Sequence, residues 1–142
     1  MDLTRFVEGL VHEPTQTEGR GLDLTVDAVS RVTEAGRVDF GGGELADATT
    51  EPAGTERRDP DDEYGWWDLP EGVYLLAYNE RLDAPADLTL VCQTREAVRV
   101  RGAFHPTLHL DGERPLAGVP LAVGDGGIRL KENARVSTLQ SG

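Results

Sequence analysis

Hydrophobic and polar residues alternate along much of this chain with a period that fits β-strands. The clearest case is the segment 22–28, in which Leu22, Leu24 and Val26 alternate with polar residues. Alternation with a period of two places apolar side chains on one face of a strand and polar side chains on the other. The segment is therefore predicted to be a half-buried strand whose polar face carries Asp23.

Further short segments with strand character follow at near-regular intervals. They are residues 73–78, 88–92, 98–101, 107–110, 119–123, 128–130 and 135–139. A hairpin is also predicted around residues 34–37, which Val32, Val38 and Phe40 flank. Glycine-containing turns such as Asp111-Gly112 separate these segments. Many short strands divided by turns are typical of an all-β sandwich or barrel. The sequence therefore predicts a mainly β fold, a distorted jelly-roll barrel or sandwich.

Two segments depart from the strand pattern. Residues 1–14 carry apolar side chains at helical spacing, with Asp2 or Thr4 as N-cap and Pro14 as the stop, which predicts one short N-terminal helix. Residues 49–65 are polar and are interrupted by proline and glycine, which predicts a long surface loop. No repeat or linker divides the chain, so residues 1–142 are expected to form a single domain.

The chain is strongly acidic. Its 142 residues include 26 Asp and Glu against 14 Lys and Arg, a formal net charge of −12, and Lys131 is its only lysine. An acid excess of this size repels the phosphates of DNA and RNA, so no nucleic-acid partner is expected. Because self-repulsion destabilises a compact acidic chain unless salt screens it, the composition fits a halophilic source. The alternative is an acidic mesophilic protein that is short of lysine by chance.

The same charge balance predicts a protein that salt stabilises. Between about 0.1 M and 1 M salt the Debye length falls from about 10 Å to about 3 Å, so repulsion between exposed carboxylates weakens. We expect Tm to rise when KCl is increased from about 0.1 M to about 2 M, as measured by thermal unfolding. A Tm that does not change over this range would contradict the expectation.

Cysteine content and hydropathy limit the cellular location. Cys92 is the only cysteine, which excludes a disulfide framework within the chain. Because it lies in an apolar predicted strand, its side chain is expected to be buried and to act as a small hydrophobic residue. No apolar run approaches the roughly 20 residues of a membrane helix, and no signal-peptide pattern is present. A cytoplasmic protein without a membrane partner is therefore expected.

Several common catalytic motifs are missing from the sequence. It has no phosphate-binding loop ending in Gly-Lys-Ser/Thr, no Gly-x-Ser-x-Gly elbow and no His-Glu-x-x-His pair. His105 and His109 would share one face of a strand as a metal pair, although packing or surface roles suit two such histidines equally. The acidic run 59–63 lacks the spacing of a calcium loop and is expected to be solvated.

Four segments, in their order along the chain, resemble the motifs of one enzyme superfamily. They are Gly21-Leu22-Asp23-Leu24-Thr25-Val26, then Gly72-Val73-Tyr74-Leu75-Leu76 with Asn79-Glu80 and Pro85, then the stretch from Arg95 to Gly102, and finally Gly127-Ile128-Arg129-Leu130-Lys131-Glu132-Asn133-Ala134-Arg135-Val136. Together they resemble the trimeric dUTPase and dCTP deaminase superfamily, particularly its archaeal members. The resemblance implies a jelly-roll-like subunit, a homotrimer with active sites between subunits, magnesium as cofactor, and dUTP or dCTP as substrate.

The resemblance also implies roles for five residues. Asp23 matches the aspartate that helps to organise magnesium, through water, and Asp111 matches the aspartate that activates the attacking water. Arg95, Gly102 and Arg135 match positions that bind substrate or phosphate. These residue types suit such roles, because magnesium prefers carboxylates together with waters and phosphate oxygens, and a guanidinium group donates a fork of hydrogen bonds to phosphate.

Other positions depart from the family pattern. Glu96 and Ala97 replace the two serines of the Arg-Ser-Ser motif, and Asp111-Gly112 lacks the aromatic residue that follows in the family. Ala122 falls at the position of the deaminase's catalytic glutamate, where no general base is then available. The sequence therefore predicts a divergent dUTP pyrophosphohydrolase or dCTP deaminase-like protein, with deaminase activity not expected. The alternative is a noncatalytic trimeric relative that binds nucleotides or acts in regulation or assembly.

Self-association is expected to bury part of the sheet surface. Strand 73–78 and segment 128–139 are predicted near the surface shared in the homotrimer, the latter through an apolar stripe of Ile128, Leu130, Ala134 and Val136. A monomeric sandwich that buries these residues internally is the alternative.

Overall fold

The computed structural model describes all 142 residues, and antiparallel strands make up most of its regular structure. The strands are β1 Val7–Glu8, β2 Leu22–Glu34, β3 Thr49–Pro52, β4 Trp66–Leu69, β5 Gly72–Tyr78, β6 Arg81–Asp83, β7 Thr89–Thr94, β8 Ala103–Phe104, β9 Leu108–Asp111, β10 Glu113–Pro115, β11 Val119–Val123, β12 Ile128–Lys131 and β13 Arg135–Ser141. The helices are α1 Glu13–Gln16, α2 Glu96–Arg99 and a 3-10 helix, Leu3–Phe6. The prediction of a mainly β fold is confirmed.

Most strands belong to one eight-stranded sheet. Its order is β8-β11-β5-β2-β13-β7-β9, and β3 also pairs with β2. A three-stranded sheet, β1-β6-β10, and a two-stranded sheet, β12-β4, complete the β structure. Buried apolar residues from all three sheets form one continuous core, whose fully buried members include Leu24, Leu76, Leu82, Leu90, Leu121 and Leu139. The assignment of residues 1–142 to a single domain stays a prediction.

Strand β2 connects the two halves of the large sheet. Residues Leu22 to Thr25 pair with β13 on one edge, and the residues from Val26 to Arg31 pair with β5 on the other edge. All five residues 22–26 are buried. The predicted strand is therefore confirmed, and Asp27 of its polar face is exposed, but the prediction of a polar face open to solvent is wrong at Asp23 and Thr25, which the rest of the chain covers.

The predicted N-terminal helix over residues 1–14 is wrong. The 3-10 helix Leu3–Phe6, capped by the Asp2 side chain, gives way to β1, in which Val7 pairs with Leu82. Gly9 has a positive φ of 86°, and a Cβ there would meet the Asn79 carbonyl oxygen at 2.9 Å. Strand pairing and this turn override the helical spacing, and Pro14 lies in the first turn of α1 instead of ending a helix.

Three other segments also differ from their predictions. Residues 98–101, predicted as a strand, form the end of α2 and the turn after it, with only Val98 buried. Val38 and Phe40 belong to no strand and are exposed, because β2 continues to Glu34 and its partner β3 begins only at Thr49. Residues 49–52 of the predicted loop form β3, whereas residues 53–65 are mainly irregular and exposed.

Two smaller expectations concern Cys92 and membrane helices. Cys92 is buried, and burial raises the pKa of its thiol to about 11, which agrees with the predicted small hydrophobe. None of the helices has the length and apolar character needed to cross a membrane.

Candidate functional site

An open pocket of about 410 Å³ that no hydrophobic residue lines lies where β7 leads into α2. Its lining residues come from the segment before β2, from β2 itself, and from β7, α2 and β13. They are Gly19, Arg20, Asp23, Gln93, Thr94, Arg95, Glu96, Arg99, Thr138 and Gln140. The pocket thus contains two of the residues predicted from the sequence, Asp23 and Arg95.

Strand register explains why these side chains meet. Asp23 of β2 is paired with Thr138 of β13, and Thr138 is paired in turn with Gln93 of β7. Paired residues in adjacent strands project from the same face of a sheet. Asp23, Thr138 and Gln93 therefore form one polar row, on the face opposite the buried Leu22 and Leu24.

Asp23 is engaged by three side chains and is almost fully buried. Its Oδ1 accepts a hydrogen bond from Thr138 Oγ1 at 2.7 Å, and its Oδ2 accepts one from Arg135 Nη1 at 3.2 Å. The Nε of Arg95 lies 3.4 Å from the same Oδ2. Two guanidinium groups thus compensate the charge of this buried carboxylate, as burial of a charge requires.

Arg95 occupies the junction between β7 and α2. Its backbone N–H donates to the Val136 carbonyl at 2.9 Å, and its Nη1 donates to the Arg135 carbonyl at 3.1 Å. With the Asp23 contact, these bonds fix the guanidinium group at the pocket wall while the side chain stays 27% exposed. Arg95 is therefore an oriented cation that a ligand can reach.

The guanidinium group of Arg135 is bound by other groups of the chain. Its Nη1 donates to the Thr15 carbonyl at 3.2 Å and to Glu18 Oε1 at 3.0 Å, in addition to Asp23. It does not line the pocket. The structure thus brings together three of the five predicted site residues, Asp23, Arg95 and Arg135, in one ionic cluster.

The other two predicted site residues lie elsewhere in the chain. Gly102 follows α2 with a positive φ of 119°, and a Cβ there would meet the Gly127 carbonyl oxygen at 2.9 Å, which gives this glycine a turn-forming role. Asp111 is exposed at the end of β9, pairs with Arg114, and is opposite Thr89. At about 3.4 Å per residue, Thr89 is roughly 20 Å from Arg95 along β7. Asp111 and the pocket therefore lie apart within the chain.

The pocket is a poor match for a magnesium ion bound directly to Asp23. Both oxygens of this carboxylate already accept hydrogen bonds, and its side chain is only 7% exposed. No group of three or more His, Cys, Asp or Glu side chains is placed to hold a metal ion. A contact between Asp23 and magnesium through water, as the family resemblance implies, stays a prediction.

Glu80 is a buried carboxylate whose role the sequence pattern does not indicate. Its Oε1 accepts from the Thr25 backbone N–H at 2.7 Å, and its Oε2 accepts from Thr25 Oγ1 and from Gln16 Nε2. Burial is the main cause that raises the pKa of Glu80. These bonds satisfy the backbone and hydroxyl donors of Thr25, which lies on β2 beyond the last residue of β2 that pairs with β5. Glu80 therefore anchors the strand that carries Asp23.

His105 lies behind the pocket in a buried hydrogen-bonded chain. Tyr78 and Ser137 share a hydrogen bond between their hydroxyl groups, Ser137 Oγ lies 2.7 Å from His105 Nε2, and His105 Nδ1 lies 2.7 Å from the Pro106 carbonyl. Nδ1 is therefore the protonated nitrogen, because a carbonyl only accepts. His105 thus has a packing role, the alternative to a metal pair with His109.

This burial predicts an acid-sensitive contribution to stability. Desolvation lowers the pKa of His105 below its ordinary value of 6.5. The contribution is complete above about pH 6.5 and is lost as the pH falls through the lower folded-state pKa, because only the unfolded chain takes up the proton. Below about pH 6.5, we expect the free energy of unfolding of the wild type to fall more steeply with falling pH than that of His105→Gln. The difference in slope is at most one proton, or about 1.4 kcal/mol per pH unit. Urea unfolding of both proteins at several pH values below 7 measures this free energy. Identical slopes of the free energy against pH for the two proteins would contradict the prediction.

Comparison with known proteins gives relatives along nearly the whole chain. No family model matches. The chain is 32% identical over 138 residues to a probable deoxyuridine 5'-triphosphate nucleotidohydrolase of Methanosarcina mazei, and 32% identical over 136 residues to that of Methanosarcina acetivorans. Each match covers 94% of this chain and 76% of the relative.

A solved structure also shares the fold. The 2'-deoxycytidine 5'-triphosphate deaminase of Agrobacterium tumefaciens superposes with a TM-score of 0.64 at 13% sequence identity. The match covers 96% of this chain but only 43% of the deaminase chain. At this identity the likeness supports the fold alone.

Proposed function

Since this chain belongs to the deoxyuridine 5'-triphosphate nucleotidohydrolase (dUTPase) family, within the dUTPase and dCTP deaminase superfamily, we propose that it hydrolyses dUTP to dUMP and pyrophosphate. The observation that carries the proposal is the Asp23–Arg95 contact at the wall of a pocket that no hydrophobic residue lines. An oriented guanidinium group of this kind matches the geometry and charge of phosphate oxygens.

The proposed reaction is attack of a water oxygen on the α-phosphorus. The bond from the α-phosphorus to the oxygen that bridges to the β-phosphorus breaks, and pyrophosphate leaves with that oxygen. Arg95 binds phosphate oxygens on which negative charge accumulates, which is the main catalytic term in such chemistry. Asp111 would accept the proton of the water, and it would come from a neighbouring subunit because it is remote from Arg95 in its own chain.

Magnesium belongs to this proposal as an expectation from the family. In proteins this ion is usually held by one or two carboxylates together with substrate phosphates and waters. Since the pocket offers no free pair of carboxylates, the assay should compare turnover with added magnesium and with excess chelator. A cytoplasmic location likewise stays a prediction.

A homotrimer is proposed from an uncharged face of the large sheet. The face presents Phe104, Ala122 and Val73 in one register row across β8, β11 and β5. The next row, Pro120, Leu75, Ser30 and Pro52, is also uncharged. In a chain of which 28% is charged, an uncharged sheet face with Phe104 and Val73 about half exposed marks a surface for association.

The second surface expected at the interface does not fit. Ile128, Leu130 and Val136 are buried within the subunit and present no stripe to a neighbour. They pack inside because β12 pairs with β4, and β13 lies between β2 and β7. The proposed trimer surface therefore comprises the outer face of β5 and β11 with the neighbouring strands.

Placing a charge on this face should break the trimer. We expect Val73→Asp to convert a species of three chain masses into monomers in light scattering at high salt, because an unpaired carboxylate would be buried in an apolar contact. Val11→Asp is a matched control, since Val11 and Val73 are each 49% exposed. A wild-type mass of one chain at all concentrations would contradict the trimer, as would an intact Val73→Asp trimer.

One observation favours a noncatalytic nucleotide-binding relative as the second candidate. Glu96 lines the pocket, and its carboxylate repels an anionic substrate.

The enzyme proposal is tested by incubating the protein with dUTP, dCTP and dTTP in molar salt. We expect turnover of dUTP in preference to the other two; binding without turnover would support the noncatalytic candidate.

A further inference from the structure

The pocket concentrates positive charge on a strongly acidic chain. Three of its lining residues, Arg20, Arg95 and Arg99, are arginines, whereas the whole chain carries a net charge of −12. Two acids stand against these three arginines, Asp23, which is paired with Arg95 and Arg135, and Glu96, which is exposed, so the lining keeps an excess of one positive charge. The pocket is therefore locally attractive to an anion despite the overall charge.

The arginines of this region divide into engaged and free side chains. Arg135 has the Thr15 carbonyl, Glu18 and Asp23 as partners, and it connects α1 and its following turn to the sheet. It does not face the pocket. Arg135, although predicted to bind phosphate, is therefore committed to holding the scaffold.

Arg20 and Arg99, in contrast to Arg135, have side chains without partners in the structure. Both are exposed at the pocket, and neither takes part in any ion pair or side-chain hydrogen bond of the structure. Arg20 lines it from the turn before β2, and Arg99 lines it from the last turn of α2. Their ten N–H donors and two charges are available to a ligand.

We propose that Arg20 and Arg99, together with Arg95, bind the polyphosphate chain of the nucleotide, while Asp23 and Arg135 position Arg95. The inference rests on the proposed function and names which groups hold the anionic part of its substrate. Three guanidinium groups around one polar pocket match a chain of phosphates, each of which accepts paired hydrogen bonds.

The lining also limits what else of the nucleotide enters this pocket. It contains no hydrophobic residue, so a pyrimidine ring would find no aromatic or aliphatic side chain there. The pocket therefore suits the charged phosphates better than the base. The base is recognised outside it, and selection between uracil and cytosine does not depend on Arg20 or Arg99.

The test measures binding of inorganic tripolyphosphate by calorimetry at one fixed ionic strength. We expect Arg20→Ala and Arg99→Ala each to weaken the affinity about tenfold or more, since a charged hydrogen bond to phosphate is lost. Arg57→Ala and Arg129→Ala remove the same charge outside the pocket, and so serve as matched controls that should stay within about twofold of wild type. In dUTP turnover, KM should rise in both pocket variants, and the ratio of dUTP to dCTP turnover should not change.

The outcomes separate this inference from the proposed function. Wild-type protein that binds no tripolyphosphate, or pocket variants that bind it as tightly as the controls do, would overturn the inference even if dUTP is hydrolysed. Affinity that depends on Arg20 and Arg99 in a protein that hydrolyses no dUTP would support the phosphate site and reject the enzyme proposal. A changed base preference in either variant would also overturn the inference.

Discussion

Arg95→Ala is expected to lower kcat/KM for dUTP by on the order of 10²–10³, the usual cost of removing a preorganised donor to a developing negative charge. The contacts of Arg95 with Asp23 and with the Arg135 carbonyl already hold its guanidinium group in place. No reorganisation is then needed when charge develops on the phosphate oxygens. Steady-state release of pyrophosphate measures the effect.

Two further variants isolate the cause of this loss. Arg95→Lys keeps the charge but not the planar fork, and it should recover only part of the activity. Arg129→Ala removes an arginine at the separate cavity beside β12 and should retain activity near the wild-type level. An Arg95→Ala enzyme within about twofold of wild type would show that this guanidinium group does not act on the substrate.

Glu80→Ala is expected to lower the free energy of unfolding by about 3–5 kcal/mol, a large share of the usual 5–15 kcal/mol. The change leaves the Thr25 N–H and the Thr25 hydroxyl without an acceptor in the interior, and it removes one of the two acceptors of Gln16 Nε2, which keeps the Asp23 carbonyl. Each unsatisfied buried group costs about 1–3 kcal/mol. Because Thr25 is two residues from Asp23 on β2, loosening of this edge should also disturb the Asp23–Arg95 contact.

Denaturant unfolding at constant salt tests this prediction. Glu71→Ala, which removes the same carboxylate from an exposed position, should change the free energy by no more than about 0.5 kcal/mol. If Glu80→Ala unfolds within 1 kcal/mol of wild type, as judged by the same assay, the buried carboxylate does not anchor the strand.

Strand positions in the second half of the chain were predictable because short apolar segments there are separated by glycine-containing turns. Segments 73–78, 119–123 and 135–139 all form strands close to the predicted bounds. The pattern failed at residues 98–101, which form the end of α2 and the turn after it although Val98 and Val100 alternate with arginines. At the N-terminus, pairing of Val7 with Leu82 outweighs the helical spacing.

The site was predictable only in part, for a similar reason. Motif order singled out Asp23, Arg95 and Arg135, and the structure brings them together. Nothing local in the sequence shows that Asp23 is buried between two arginines, since its neighbours alternate like those of an exposed strand. Thr138 could have been recognised, because it alternates with the buried Ser137 and Leu139 and so faces outward. Glu80 could not, because its partners Gln16 and Thr25 are distant in the chain.

The central claim, hydrolysis of dUTP at the α-phosphate, is tested most directly by ³¹P NMR of dUTP incubated with the wild-type protein in molar KCl. The account predicts that dUMP and pyrophosphate appear in equal amounts, and that Arg95→Ala slows their appearance by on the order of 10²–10³. Unchanged dUTP at protein concentrations that bind it fully, or cleavage to dUDP and inorganic phosphate, would contradict the account.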